Sequence, residues 1–400
     1  MSIRKNVGSR IALMVRLTVF VMFGLCAYMH LSAVAQEQTN NEQDQRLIGF
    51  ETGSVDFAPY ISQRFEYDSN IFREENGEEE DFVSKTSPGF NLAYPGDRLT
   101  VNASASTVLR KYADTGDVDD DLDFSGSLDG TFYVTDNWYI SAGTSYDESN
   151  SPLDFTIEDQ LTTVRTAHQG GIGRDDERLE VELLYRYQDY EVDDIFDGLD
   201  WTDRGVDGSV TYSLNDPFRV RAGVEYGTQE YDEGLDNDYG EVTGGLQWNP
   251  NRTFGAIVDA GYRNTDYSSD ENYDEYVLRG TALWRIVENG RLKAQYSHQP
   301  KESTLTNFVK SDELMLQYDQ MLTRDWTLSP SVSYDRREEA DADVIQDTKE
   351  FYRISLNITW SGLAEFADLT GGYRYTKKAT DDGVGEYDLN IVSLEGTVRF

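Results

Sequence analysis

The sequence predicts an all-β fold, a transmembrane antiparallel up-and-down β-barrel of about eighteen strands, of the kind found in the bacterial outer membrane. Three observations predict it. Apolar and polar residues alternate with period two along most of the chain. Short turns alternate with longer acidic connections. The tryptophans collect at one end of the strands. Side chains on a strand point alternately to opposite faces, so a sheet with lipid outside and water inside needs this pattern.

Taken in chain order, the N-terminus reads as a Sec-type signal peptide, residues 1–35. Arg4, Lys5, Arg10 and Arg16 form a basic region, Leu17 to Ala27 is apolar, and Ala33-Val34-Ala35 is a cleavage signature. The apolar run is shorter than the ~20 residues of a spanning helix. Cys26 leaves with this peptide, so the mature chain has no thiol chemistry. Residues 36–53 are polar and read as a flexible periplasmic leader, too short for a globular plug. Residues 54–400 are the barrel.

Strands are expected near 54–69, 82–94, 98–112, 122–134, 138–146, 160–172, 178–190, 203–213 and 218–231. They continue near 239–249, 253–267, 275–286, 291–300, 310–321, 326–335, 351–360, 368–376 and 387–400. The last is representative: Val392, Leu394, Val398 and Phe400 share one face, and Ser393, Glu395, Thr397 and Arg399 the other. Turn residues mark the short connections, among them Thr135-Asp136-Asn137, Asn215-Asp216-Pro217 and Asn249-Pro250-Asn251. Acidic stretches such as Asp147 to Asp159 and Arg336 to Glu350 read as surface loops. In lipid every backbone polar group needs a partner, so the first strand should close on the last.

Trp138 and Trp326 begin strands after short turns, and Trp248, Trp284 and Trp360 end strands before them. These five form an aromatic girdle at the periplasmic rim. Tyr67, Tyr146, Tyr187, Tyr334 and Tyr375 form the second girdle, near the long loops. Phe400 closes the final strand as an assembly signal.

Composition excludes several classes. Mean hydropathy is −0.60, which a barrel tolerates because only alternate residues face lipid. Loss of the signal peptide's four cations takes the formal charge from −39 to −43, against nucleic acid as a partner. The 26 Tyr, 18 Phe and 33 Gly argue against a disordered acidic chain.

Candidate chemistry concentrates in the lumen. On the polar parity lie Arg64, Arg110, Arg186, Arg219, Arg221, Arg263, Arg279, Lys293, Arg353, Arg374 and Arg399. With them lie Asp56, Glu66, Glu180, Glu182, Glu225, Asp259 and Glu395. These charges either pair across strands and keep the lumen wet, or select a carboxylate-bearing or polyhydroxylated solute. No enzyme is expected: the mature chain keeps two histidines, His168 and His298, and no motif fixes a nucleophile. No cofactor or metal site is expected. Asp117, Asp119, Asp120, Asp121 and Asp123 lack the glycine and glutamate of a calcium loop, leaving weak divalent-cation binding at acidic loops as the alternative to solvated acidity.

The string Glu66-Tyr67-Asp68-Ser69-Asn70-Ile71-Phe72-Arg73, with Gly-Tyr-Arg at 261–263 and 372–374 and the aromatic last strand, resembles a family of second-type β-barrel porins over roughly residues 50–400. That family includes barrels encoded in exopolysaccharide gene clusters. The resemblance implies an outer-membrane conduit and supplies no catalytic residues. Expected partners are the lipid bilayer with lipopolysaccharide, the barrel-assembly machinery and polysaccharide-secretion components. The expected function is a porin-like channel for exopolysaccharide export or for diffusion of anionic or polyhydroxylated solutes. The competing reading is an adhesion or structural barrel working through its acidic loops.

Overall fold

Alternation defines two faces, and pairing decides which one meets lipid. In this computed structural model the described residues are 55–71, 75, 78–113, 122–152, 160–192, 200–232, 236–268, 272–301, 308–341, 344–364, 366–381, 383 and 385–400. The expected signal peptide and leader lie outside them. The described residues form eighteen strands. The first nine are β1 Asp56–Asp68, β2 Asp81–Pro95, β3 Leu99–Tyr112, β4 Leu122–Tyr133, β5 Trp138–Pro152, β6 Gln160–Asp175, β7 Leu179–Val192, β8 Trp201–Asn215 and β9 Phe218–Tyr231. The rest are β10 Asn237–Asn251, β11 Phe254–Tyr267, β12 Asn272–Val287, β13 Gly290–Lys301, β14 Phe308–Met321, β15 Trp326–Asp341, β16 Val344–Ala364, β17 Ala367–Thr380 and β18 Tyr387–Arg399.

Each strand pairs antiparallel with its chain neighbours, and β1 pairs with both β2 and β18, which closes the sheet. At the seam Ile61 faces Val398 and Phe65 faces Leu394. The Phe400 N–H donates to the Pro59 carbonyl at 3.0 Å, so the ladder continues to the last residue. Strands ~4.8 Å apart and tilted ~40° give an 18-strand ring about 35 Å across between backbones.

The short turns share one device. Thr135 Oγ1 accepts from the N–H groups of Asn137 and Trp138, and Thr323 Oγ1 from those of Asp325 and Trp326. Asp176 Oδ1 serves Arg178 and Leu179, and Asn251 Oδ1 serves Thr253 and Phe254. A short side chain that caps the backbone two and three residues on is the physical reason these residues signal turns.

The outer face is apolar over the lipid span. Phe65, Ile140, Val224, Val242, Ile354 and Leu394 are exposed there. Trp138, Trp248, Trp284 and Trp326 are exposed near the short-turn rim, and Trp326 stacks on Trp360 at 5.7 Å and 8°. At the other rim, tyrosine hydroxyls donate outward to carboxylates: Tyr375 to Asp388 at 2.8 Å, Tyr334 to Glu350 at 2.9 Å, and Tyr67 to Glu80. Each ring thus keeps its body in the apolar belt and its oxygen at the polar boundary.

Beyond that tyrosine belt the two faces exchange character. On β18 the outward residues become Asp388 and Asn390, while Tyr387, Leu389 and Ile391 pack inward as a buried cluster. Phe351, Val277, Val309 and Val83 likewise turn inward and are buried. The strands therefore extend past the lipid as a collar with water outside and packed side chains inside. This corrects the expected loops at 147–159 and 336–350. Residues 147–152 continue β5, and Arg336 pairs with Glu350 through to Asp341 with Val344. Backbone pairing persists above the membrane, but the apolar outward parity that marks a lipid-facing strand does not. The described residues of 336–350 therefore extend the sheet and do not fold back into the lumen. The segment 74–81 is described only in part, with Glu75 accepting from the Gly385 N–H at 3.1 Å.

Candidate functional site: the barrel lumen

Register and exposure together place Arg64, Arg110, Arg186, Arg219, Arg221, Arg263, Arg279, Lys293, Arg353, Arg374 and Arg399 on the inward face, alternating with exposed outward apolar residues. The lumen they line has two unlike walls.

The first wall runs from β7 to β12 and is a ladder of ion pairs. Arg186 sits in a row with Gly205, Gly227 and Tyr239 on β7 to β10. The two glycines leave the wall bare between the long side chains. A Cβ on Gly227 would lie 2.4 Å from the Tyr239 ring, and one on Gly205 would lie 3.0 Å from Arg186 Nε. Across that gap Arg186 donates to the Tyr239 hydroxyl, which in turn donates to Asp203 at 2.8 Å. Arg186 also pairs with Glu225 and lies 3.3 Å from both Asp203 and Asp207. Arg263 covers the Tyr239 ring at 4.0 Å.

The same construction recurs three inward positions further along β10. Arg221, Gly245 and Asp259 stand abreast on β9, β10 and β11. A Cβ on Gly245 would overlap the Asp259 carboxylate at 2.0 Å, so the glycine is what lets Arg221 reach Asp259 at 2.9 Å. Arg279 grips Glu241 through two bonds of 2.8 and 3.2 Å. Elsewhere Arg64 pairs with Glu66 at 2.6 Å, Arg110 with Asp123, and Arg399 with Asp368 at 2.5 Å. Arg353 covers the Phe351 ring at 5.6 Å. Arg219 lines a 390 Å³ pocket at the short-turn rim together with Glu180 and Asp175. Charge-assisted contacts of this kind hold the guanidinium groups, the Arg279 contact through two parallel bonds. The wall is polar and wet, yet its positive charge is answered locally.

The second wall, β2 to β6, differs in chemistry. Its inward positions carry Ser87, Asn91, Asn102, Ser104, Ser106, Ser125, Ser127, Ser141 and Ser145. Hydroxyls pair across strands, Ser104 with Ser127 at 2.9 Å and Ser106 with Ser125 at 2.7 Å. From β7 to β12, and again from β14 round through β18 to β2, each strand carries at least one buried inward residue near the outer rim; among the described residues of β3 to β5 none is. Packing in the collar thus narrows the lumen from one side and leaves the serine-lined wall accessible. Period-two alternation marked these positions as polar but carried no sign that serines would gather on β2 to β6, beside the arginine ladder of β7 to β12.

The remaining candidates fall elsewhere. His168 is on the outer face, bonded to Thr144 at 2.9 Å and stacked on Tyr187. His298 is buried between Asp312 at 2.9 Å and Glu275 at 3.4 Å, against the Tyr276 ring. The hydroxyl bonded to His168 is thus on the outer face, away from the lumen, and His298 meets carboxylates and an aromatic ring. Asp117, Asp119, Asp120 and Asp121 lie outside the described residues, and Asp123 is taken by Arg110. Trp201 stands apart from the other tryptophans, buried inward and stacked on Tyr190 at 5.3 Å.

A closed antiparallel barrel with an apolar outer belt, two aromatic rims and a polar lumen is an outer-membrane barrel of the porin type. The chain belongs to the family described as "Putative beta-barrel porin 2", whose model matches residues 46–400. Among solved structures it is similar to the outer membrane protein OpdK from Pseudomonas aeruginosa, with TM-score 0.52 and 10% identity over 86% of this chain and 99% of that one. It is also similar to the FrpB iron transporter from Neisseria meningitidis, with TM-score 0.52 and 11% identity over 82% of this chain. It spans 63% of the length of that FrpB chain. At these identities the likeness is one of fold. No curated protein matches the sequence.

Proposed function

We propose that this outer-membrane barrel is a passive, non-enzymatic channel for hydrophilic solutes, and that polyhydroxylated solutes are its class. The observation that carries the reading is the make-up of the lumen: arginines paired with carboxylates on β7 to β12, and beside them an accessible wall on β2 to β6 rich in serine and asparagine, with Asp129 and Asp147 among them. An anion channel needs surplus positive charge facing its path. Here Arg186, Arg221 and Arg279 each face at least one carboxylate. Hydroxyl and amide groups instead match solutes that both donate and accept hydrogen bonds. Diffusion of sugars or short saccharides fits this lining, and so does a link to polysaccharide secretion of the kind the family resemblance implies. Export by the Sec pathway and assembly through Phe400 belong to the same reading.

Reconstitution of the mature protein in planar bilayers tests it. Discrete conductance steps with weak or cation-leaning selectivity are expected. Absence of steps above background, or strong anion selectivity, refutes it.

A further inference from the structure

The periplasmic half of the serine wall holds a defined cavity rather than a uniform surface. Asn91, Asn102, Ser104 and Ser127 line a 250 Å³ recess on β2, β3 and β4, bounded on β1 by Ala58 and the exposed carboxylate of Asp56. Asn91 and Asn102 are exposed to it, the serines half-buried. At the next inward position toward the outer rim, Tyr60 pairs with Gly89. A Cβ on Gly89 would lie 2.6 Å from both Tyr60 Cζ and its hydroxyl oxygen, so the end of the ring occupies the space above the glycine on the lumen side. The Lys and Arg on inward positions of β1 to β3, Arg64, Lys85 and Arg110, all lie further toward the outer rim.

An aromatic ring set beside two carboxamides, two hydroxyls and the Asp56 carboxylate, without a cation, is complementary to one chemical class. A pyranose ring presents an apolar face of C–H groups and an equatorial rim of hydroxyls. The first stacks on an aromatic ring, and the second exchanges hydrogen bonds with amide and hydroxyl groups that both donate and accept. A concave site with a few convergent polar groups is where small ligands settle. We infer that Tyr60, Asn91 and Asn102 form a sugar-binding subsite on the channel wall that takes neutral pyranose units of an oligosaccharide in transit. This rests on the proposed channel but locates the recognition, which general polarity of the lumen does not.

The test is current block in planar bilayers, with maltohexaose and cellohexaose as probes and polyethylene glycol of equal size as control. At least one hexaose should block in a saturable way where the glycol does not. Tyr60→Ala and Asn102→Leu should each weaken the block constant by about tenfold, read against each variant's own open current, and Tyr60→Phe should preserve it. Heat-modifiable migration on gels shows that each variant is folded. Block by neither hexaose, or equal block in wild type and folded Tyr60→Ala, overturns the subsite while leaving the channel standing. A wild type that does not conduct overturns the channel instead. Equilibrium dialysis of the detergent-solubilised protein with labelled hexaoses then decides the subsite: saturable binding lost in Tyr60→Ala supports it, and no binding overturns it.

Discussion

Arg186 offers the sharpest test of how the charged wall is held. Its guanidinium faces Glu225, Asp203 and Asp207, the last two at 3.3 Å. At an effective dielectric constant of 20 each such contact is worth about 5 kcal/mol of Coulomb energy. Desolvation of the arginine and the three carboxylates offsets most of that sum. The side chain is also 32% exposed, so solvent screens a further part. What remains is the cost of leaving three carboxylates without their cation, about 2–3 kcal/mol. Arg186→Met should therefore lower stability by that amount in urea titrations of the barrel folded in detergent or phospholipid, and shift the reversal potential toward cations. Glu225→Gln in the same background should recover about 1 kcal/mol, because it removes one of the stranded charges. If Arg186→Met lies within about 0.5 kcal/mol of wild type and the reversal potential does not move, the hub is not what the geometry implies.

Other expectations follow from the same geometry. Gly227→Ala places a methyl against the Tyr239 ring and should cost about 1–3 kcal/mol in the same titration, whereas Gly244→Ala, with open space around it, should cost under about 1 kcal/mol. Trp326→Ala should lose its stacked partner Trp360 and with it about 1 kcal/mol, visible as a lower unfolding midpoint. In the periplasmic turn the backbone N–H groups of Arg178 and Leu179, helped by Arg174, hold the Asp176 carboxyl below the ordinary aspartate range. A depressed folded pKa contributes stability above the unfolded value, near 4. The stability gap between wild type and Asp176→Ala should thus be constant from neutral pH down to that point. It should close as pH falls through the depressed folded pKa; a gap that persists into strong acid contradicts the cap.

Much of this architecture was legible because lipid imposes it. An apolar outward parity, turn residues able to cap their own backbone, and tryptophans drawn to the interface are local demands, and each leaves its mark on short stretches of sequence. Closure followed from the same logic, since β1 had to find β18. The collar was hidden for the converse reason. Above the lipid the outer face meets water, so Asp388 and Asn390 turn outward while Leu389 and Ile391 turn inward, and the pattern reads as a loop.

By itself, then, the sequence determined an eighteen-strand barrel, its inward arginines and its two rims, because period-two alternation is a property of single strands. Only the tertiary structure decided what those inward residues do. Arg186 and Tyr239 lie 53 positions apart, and they meet because Gly205 and Gly227 fall in one row of the closed sheet. The Tyr60 ring reaches over its neighbouring strand because Gly89 stands opposite it. Row membership is set by register summed around the barrel, and no local stretch of sequence carries that sum.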